Sequence, residues 1–204
     1  MRTLRAYDWK HFSEKPPEWW NPPEPGPFER HQLELVNALV EREVPTRLLE
    51  IGIGRGRATP WIQGSWQYVG VDVNLQLLSE ACRTTNLPVV LASGTHLPFR
   101  DRSFDAVVSI DVFMHVWQRQ DFLQECRRVL SPKGLLILNF LRRFSRGWKS
   151  YWLAMVRHPK MMSQASDRRF DVPQSVERLL VGGGFSAKIL MAETSVPIVC
   201  AKRI

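Results

Sequence analysis

The chain has 204 residues, of which 44% are hydrophobic, and a net charge of +8. This length and composition are typical of one soluble globular domain with a substantial core, and no apolar run approaches the ~18 residues of a transmembrane helix. We expect no signal peptide, because the sequence opens without an apolar segment. Three widely spaced cysteines among apolar residues predict buried free thiols in a reducing compartment, and therefore a cytoplasmic protein.

Residues 1–27 are expected to form an arm that lacks regular secondary structure. Six prolines between positions 16 and 27 exclude a continuous helix or a central strand there. Aromatic residues accompany them, which is unusual for a disordered tail: Tyr7, Trp9, Phe12, Trp19 and Trp20. We therefore predict an ordered arm, rich in aromatic residues and proline, that packs over a domain formed by residues 28–204. Simple packing and a lid over a ligand stay open as alternatives.

The domain itself alternates between helical and strand patterns. Apolar residues recur at helical spacing from Phe28 to Glu43. Three further helices are predicted between apolar strands: a short one to about Gln63, one capped by Asn74 and one that contains Phe122. The predicted strands are 47–51, 68–72, 89–92, 104–110 and 135–140. Such alternation with nearly continuous apolar strands is typical of a parallel sheet that helices cover on both faces.

The C-terminal part breaks this alternation. A helix over 173–181 is predicted to end at three consecutive glycines, 182–184. The strands predicted at 185–192 and 196–202 are joined by a short turn, so they must be antiparallel, since a parallel crossover needs a dozen or more residues. The sequence thus predicts an α/β, Rossmann-like protein whose seven-stranded, mostly parallel sheet ends in an antiparallel hairpin.

Three glycines at alternate positions follow the first strand. Gly52, Gly54 and Gly56 come after Glu50, the acid at the carboxyl end of that strand. Glycine is required where φ is positive or where a ligand approaches the backbone closely, and ligands of open α/β sheets bind beyond the carboxyl ends of the strands. A dinucleotide-binding fingerprint is disfavoured, because its third small residue would fall on Arg57.

The glycine spacing, Glu-x-Gly-x-Gly-x-Gly over residues 50–56, resembles motif I of the class I S-adenosylmethionine-dependent methyltransferases. Further segments fall in register with that family: Asp72 at the end of the second strand, the loop 92–99, the strand from Phe104 and the turn 131–134. The resemblance covers about residues 30–140 and 173–204. It is to the small-molecule branch, methyltransferase type 11, which includes enzymes of ubiquinone and menaquinone biosynthesis.

The resemblance implies S-adenosylmethionine as the cofactor and S-adenosylhomocysteine as its product. In the family, the acid corresponding to Asp72 holds both ribose hydroxyls, and a carboxylate suits this role because it accepts two hydrogen bonds. Ser93 stands where the adenine-side loop commonly has an acid, and Asp111 is expected to face the methionyl end. The implied cofactor-binding residues are Glu50, Gly52, Gly54, Gly56, Asp72, Val73, Ser93, Gly94, Thr95 and Asp111.

Other side chains near the expected pocket leave alternatives open. His115 is a candidate general base, because imidazole titrates near neutral pH, or a histidine that is bonded within its own loop. Met114 replaces the second acid of magnesium-binding relatives, so no metal site is expected. Arg55 and Arg57 are expected to be solvated loop charges, with approach to the methionine carboxylate as the alternative.

Residues 141–171 form a predicted insertion that carries eight basic and two acidic residues, with aromatic residues and methionines between them. In the family that the chain resembles, the insertion after the fifth strand commonly shapes the acceptor pocket. We therefore expect methyl transfer to a small-molecule or lipid-like acceptor. The basic segment leaves RNA methylation, contact with a membrane surface and a merely solvated helix open as alternatives. A non-catalytic scaffold that binds S-adenosylmethionine is a further one.

Overall fold

A computed structural model of the chain describes residues 25–145 and 169–204. Most of the predicted arm, and residues 146–168 of the predicted insertion, therefore lie outside the described residues. The helices are α1 Pro27–Glu43, α2 Leu75–Thr85, α3 Arg119–Val129 and α4 Pro173–Gly182. The strands are β1 Arg47–Ile51, β2 Gln67–Asp72, β3 Val89–Leu91, β4 Phe104–Ser109, β5 Leu130–Asn139, β6 Leu141–Arg142, β7 Phe170–Asp171, β8 Phe185–Leu190 and β9 Ile198–Arg203.

Seven strands form one sheet in the order β3-β2-β1-β4-β5-β9-β8. Strands β1 to β5 pair in parallel, whereas β9 runs antiparallel to both β5 and β8. The predicted mostly parallel sheet with a terminal antiparallel hairpin is thus confirmed. Because the chain winds outward in both directions from the neighbours β1 and β4, the carboxyl ends of these two strands flank the point where such sheets bind ligands.

Helices cover both faces of the sheet, and each face has its own hydrophobic core. Alternate residues of a strand point to opposite faces, so neighbours in β1 enter different cores. Leu49 packs in a cluster with Phe122 of α3 and Leu180 of α4. Leu48 packs in the other cluster, with Val36 of α1. All five of these side chains are fully buried, and this burial holds the strand ends in fixed positions.

The helix predicted after the glycine loop is shorter than expected. The structure has only a single 3-10 turn there, Thr59–Trp61. Pro60 is compatible with the first turn of a helix, but Gly64 follows only four residues later, and so short a segment does not repay the unfavourable nucleation of an α-helix. Backbone N–H groups at the carboxyl edge of the sheet are therefore provided by the glycine loop itself, because an α-helix N-terminus does not follow it directly.

Two further differences concern segments without a clear pattern. Strand β5 begins at Leu130, because Leu130 pairs with Phe104 of β4 and Leu135 pairs with Ala106; the predicted turn 131–134 lies in the register shift between these pairs, with Lys133 at φ 62°. The two-residue strands β6 and β7 pair in parallel, Leu141 with Phe170 and Arg142 with Asp171. Strands of two residues carry no readable periodicity, so the sequence does not reveal them. This pair brings together the two ends of the predicted insertion.

The cysteines are all free, but their environments differ. Cys126 is buried and Cys200 is half-buried, whereas Cys82 is exposed. The predicted burial is therefore wrong for Cys82, which follows the fully buried Ala81 on α2 and lies on the solvent side of that helix. Within residues 25–145 and 169–204, no helix is long and apolar enough to cross a membrane.

The glycines that end α4 provide a test of the fold. Gly184 has φ +81°, and a Cβ there would lie 2.4 Å from Arg127 Nε, whereas a Cβ on Gly182 would meet nothing within 4 Å. We expect Gly184→Ala to lower the free energy of unfolding by about 1 kcal/mol or more, because an L side chain is strained at positive φ. Gly182→Ala should leave it unchanged or raise it by up to ~1 kcal/mol. Urea titration of both variants measures this, and equal effects would contradict it.

Candidate active site

A cavity opens at the carboxyl edge of the sheet, where β1, β2 and β4 end. Its walls come from the glycine loop, the end of β2, the turn 93–95, the segment 110–116 and the first turns of α1. All but one of the residues singled out from the sequence line it: Glu50, Gly52, Gly54, Asp72, Val73, Ser93, Gly94, Thr95, Asp111 and His115. The exception is Gly56. Sequence reasoning missed the contribution of α1, which adds Glu29, Gln32 and Leu33 to the lining.

The three glycines of the loop have positive φ angles but different surroundings. A Cβ on Gly52 would lie 2.1 Å from Val112 Cγ2, so this glycine permits close packing against the segment after β4. A Cβ on Gly56 would lie 2.4 Å from Thr85 Cγ2, which explains why Gly56 packs on the end of α2 and does not line the cavity. Gly54 is different, because nothing lies within 4 Å of its Cβ position. Gly54 therefore leaves open space in the cavity.

The Asp72 carboxylate is fixed beside Gly54 by backbone donors. Its Oδ2 accepts a hydrogen bond from Gly54 N (2.8 Å), and its Oδ1 accepts one from Asn74 N (2.9 Å). Burial raises the pKa of Asp72 above its usual value, against the opposing effect of the backbone N–H donors of Asn74, Gly54 and Val73. Each carboxylate oxygen has a second lone pair, so the group can still accept hydrogen bonds from a ligand.

Asp72 does not cap the helix that follows it. Asn74 does so, as predicted, because its Oδ1 accepts hydrogen bonds from Gln76 N (3.0 Å) and Leu77 N (3.1 Å). Asn74 is fully buried. Because Asn74 caps α2, the Asp72 carboxylate is not used as a cap and lines the cavity at the β2–α2 junction.

Glu50 is a buried carboxyl group in the cavity wall. It is 3% exposed, and the Tyr68 hydroxyl donates a hydrogen bond to its Oε2 at 2.6 Å. Burial raises the pKa of Glu50 to about 7. The negative charge of Asp72 also raises this pKa, whereas the hydrogen bond from Tyr68 and the positive charge of Arg57 lower it. Glu50 is therefore close to the midpoint of its titration at neutral pH, where a nearby positive charge would favour its ionised form.

Arg57 joins three elements around the cavity. Its Nη1 lies 3.0 Å from Glu29 Oε2 on α1, and its Nη2 lies 2.9 Å from Asp111 Oδ2 in the segment after β4. The side chain is only 15% exposed, so the expectation of a solvated loop charge is wrong for Arg57. Arg55 approaches Glu80 at 3.5 Å. These pairings were missed because the partners of Arg57 lie 28 and 54 residues away along the chain.

Asp111 is held by a residue that sequence reasoning overlooked. Asp111 has φ 61°, and its N–H donates to Asn139 Oδ1 (2.7 Å) while Asn139 Nδ2 donates to Asp111 Oδ1 (2.9 Å). Asn139 is fully buried at the end of β5. A polar residue that closes an otherwise apolar strand was the available signal. Because of this reciprocal pair, the ends of β4 and β5 fix the Asp111 carboxylate together.

The turn 93–95 is held by internal hydrogen bonds and by close packing against α3 and β1. Ser93 Oγ lies 2.9 Å from Thr95 Oγ1 and accepts a hydrogen bond from Thr95 N (3.2 Å). Gly94 faces α3 and β1 closely, since a Cβ there would lie 2.7 Å from Phe122 Cε2 and 2.8 Å from Ile51 Cγ2. The turn thus presents neutral hydroxyl and backbone groups to the cavity in a fixed position.

His115 lies on a single 3-10 turn, Phe113–His115, at the cavity wall. The returning strand β7 holds this turn: Arg169 N donates to Met114 O (2.9 Å), and Asp171 Oδ1 pairs with Arg119 Nη1 (2.7 Å). Arg119 in turn lies 4.5 Å from the centre of the Phe113 ring. Residues at the C-terminal end of the predicted insertion therefore hold the turn that carries His115. In the part of the chain that the structure describes, no group of three or more His, Cys, Asp or Glu residues could hold a metal ion.

Comparisons with known proteins agree with this arrangement. Residues 49–138 match the family model of a methyltransferase domain. A probable S-adenosylmethionine-dependent methyltransferase of Mycobacterium tuberculosis is 32% identical over 120 residues, which cover 58% of this chain and 43% of that protein. The chain therefore contains a methyltransferase domain of the S-adenosylmethionine-dependent kind, matched over residues 49–138. The predicted family and its cofactor, S-adenosylmethionine, are thereby confirmed.

Two further methyltransferases are similar to the chain. A fatty-acid O-methyltransferase of Mycolicibacterium smegmatis is 34% identical over 98 residues, 45% of this chain and 35% of that protein. The crystal structure of magnesium protoporphyrin IX methyltransferase from Synechocystis with bound S-adenosylhomocysteine superposes with a TM-score of 0.68 at 15% identity, covering 86% of this chain and 84% of the other. The match with this structure supports the fold. The chain spans less than half the length of the two mycobacterial relatives.

The raised pKa of Glu50 predicts a pH dependence of stability. Between its usual pKa of 4.5 and its folded-state pKa of about 7, the folded state binds a proton that the unfolded state releases. The resulting stabilisation of the folded state is fully present below the pKa of the unfolded state and is lost as the pH rises through the pKa of the folded state. The free energy of unfolding that is lost amounts to about 3 kcal/mol. Glu50→Gln should remove this loss, so the variant gains stability relative to the natural chain between pH 5 and pH 8.

Urea titrations at both pH values measure the gain. Glu177→Gln is the matched control, because it makes the same chemical change at an exposed position of α4. A parallel pH dependence in the natural chain and in Glu50→Gln would contradict the assignment of the titrating group.

Proposed function

We propose that the cavity binds S-adenosylmethionine and that this chain transfers the methyl group of the cofactor to a small-molecule or lipid-like acceptor. The observation that carries the proposal is the Asp72 carboxylate, held by backbone donors beside the open space at Gly54, in the cavity at the carboxyl ends of β1 and β2. A carboxylate in this position is suited to accept hydrogen bonds from both hydroxyls of a ribose.

The charges of the cavity wall support a ligand with a positive centre. Among the charged residues that line it, the acids outnumber the bases: Glu29, Glu50, Asp72 and Asp111 against Arg55 and Arg57. S-adenosylmethionine has a sulfonium, an ammonium and one carboxylate, so its charges complement a wall of this kind. In the proposal, the turn 93–95 receives adenine, Asp72 the ribose, and Glu50, Arg57 and Asp111 surround the charged amino-acid end.

The chemistry of the bound cofactor is a methyl group made electrophilic by a sulfonium, and the task of the chain is alignment. Methyl transfer depends on holding the acceptor in line and on excluding water. The cavity wall also contains apolar side chains, those of Ile110, Val112, Val116 and Phe122. His115 lies in the same wall. We assign to its imidazole the removal of a proton from those acceptors that must lose one.

The apolar wall favours an acceptor with an apolar body. Two similar methyltransferases act, by their names, on a fatty acid and on magnesium protoporphyrin IX, and these support the small-molecule or lipid-like class. The basic residues that raised RNA as an alternative acceptor fall mostly within 146–168, outside the described residues. A cytoplasmic location, and peripheral contact with membranes during capture of a lipid-like acceptor, remain predictions of this proposal.

Calorimetric titration tests the cofactor assignment. We expect the natural chain to bind S-adenosylmethionine and S-adenosylhomocysteine with micromolar affinity and to show no binding of NAD. Asp72→Ala should abolish binding, since two ribose hydrogen bonds to a charged acceptor are lost at once. Asp72→Asn should bind with an intermediate affinity, because its amide retains one acceptor oxygen. Glu177→Ala is the control for a lost surface carboxylate. Retained micromolar affinity in Asp72→Ala would exclude the ribose assignment.

Transfer of a radiolabelled methyl group tests the acceptor class. We expect incorporation into members of a panel of fatty acids and other apolar acids and none into total RNA, with His115→Ala reducing turnover of protonated acceptors while leaving cofactor binding unchanged. Salt-sensitive incorporation into RNA would favour the alternative acceptor. Cofactor binding without incorporation into any acceptor would favour the non-catalytic scaffold.

A further inference from the structure

Neither Glu125 nor Arg128 of α3 lines the cavity, yet both bind the chain that leaves the turn 93–95. We propose that Glu125 and Arg128 are positioning residues that set the affinity for the cofactor by holding the loop 97–101. The inference rests on the proposed function, which gives the turn 93–95 to adenine.

Arg128 binds the loop through several acceptors at once. Its Nη2 donates to Leu97 O (2.9 Å), and its Nη1 donates to Phe99 O (2.7 Å) and to Asp101 Oδ1 (3.0 Å). Toward its own helix, Nε and Nη2 donate to the two carboxylate oxygens of Glu125 at 2.7 and 2.8 Å. This bidentate pair orients the guanidinium, and its planar fork can then reach several loop acceptors.

Glu125 completes the arrangement from the other side of the same peptide. Its Oε2 accepts a hydrogen bond from Leu97 N at 2.7 Å. Both backbone polar groups of Leu97 are thus bonded to the Glu125–Arg128 pair, although Leu97 itself is only 5% exposed. Burial opposes the ionised form of Glu125, but the hydrogen bonds from Arg128 and Leu97 outweigh it, so the pKa of Glu125 lies below its usual value. The pair therefore stays charged across the neutral range.

Successive residues on one face of α3 contact successive residues of the turn and the loop. Phe122, Glu125 and Arg128 are spaced three apart and therefore share that face. Phe122 packs against Gly94 in the turn, Glu125 binds Leu97, and Arg128 reaches Phe99 and Asp101. Between the turn and β4 the loop carries no strand, so this helix face determines where the chain lies. A loosened loop would leave the turn with its packing on Phe122 and Ile51 and its internal hydrogen bonds, but without the anchor that follows it.

The experiment compares Arg128→Gln with Arg127→Gln. Both substitutions remove one positive charge from the same helix, but Arg127 is exposed and its Nη2 donates to Ile204 O (3.3 Å). We expect Arg128→Gln to weaken S-adenosylhomocysteine binding about tenfold, since two partly buried loop carbonyls lose their donor. Arg127→Gln should bind like the natural chain. Arg128→Lys should recover part of the affinity, because it keeps the charge but not the fork.

A second probe separates the adenine side from the amino-acid end. 5′-Methylthioadenosine has the adenine and ribose but no amino acid, so Arg128→Gln should weaken its binding by the same factor as that of S-adenosylhomocysteine. Hydrogen exchange of the peptide that contains residues 93–101 should become faster in Arg128→Gln and stay unchanged in Arg127→Gln. This readout does not depend on affinity.

The outcomes are distinguishable. If neither the natural chain nor Arg127→Gln binds S-adenosylhomocysteine, the proposed function fails. If both bind it and folded Arg128→Gln binds it equally well, with a lower melting temperature only, the pair is purely structural and this inference is overturned. Loss of S-adenosylhomocysteine affinity without loss of 5′-methylthioadenosine affinity would also overturn it, because the effect would then lie at the amino-acid end.

Discussion

The hydrogen bonds that fix the Asp72 carboxylate are the constraint on which the cavity depends. They tie the loop after β1, through Gly54 N, to the junction of β2 and α2, through Asn74 N. A buried carboxylate is unfavourable unless donors compensate for the lost water, and here the backbone itself provides them. Gly54 suits this position because a residue without a Cβ adopts φ +56° without strain and leaves the neighbouring space open.

The remaining acids of the cavity wall are held in the same manner, each by a specific partner. Tyr68 binds Glu50, Asn139 binds Asp111, and Arg57 bridges Asp111 to Glu29 on α1. Such pairs add little net stability, because desolvation offsets much of their attraction. Their effect is on positions: Arg57 attaches α1 to the glycine loop, and the partners hold the acidic side chains around the same cavity. A cationic ligand would meet preorganised acceptors there, with little rearrangement.

Local patterns predicted most of the fold, and the contacts that they did not predict are distant in sequence. The strand ends, the Asn74 cap and the position of Asp72 follow from apolar runs and short-range hydrogen bonding. Arg57 was misjudged because its charge partners come from elements 28 and 54 residues away, and Asn139 acts across the sheet from Asp111. The short helix predicted after the glycine loop is reduced to the 3-10 turn Thr59–Trp61, because Gly64 leaves too few residues for a longer one.

The site divides into two halves that are supported differently. The half around Asp72 and the turn 93–95 is bound by α2 and α3, elements within the parallel sheet region. The half around His115 is bound by β7, through Arg169 N to Met114 O and through the Arg119–Asp171 pair. Strands β6 and β7 pair the two ends of the predicted insertion, and the end at β7 contacts the His115 half. In the proposed function, different elements therefore support the cofactor side and the acceptor side of the cavity, and such a separation lets one fold accept different substrates.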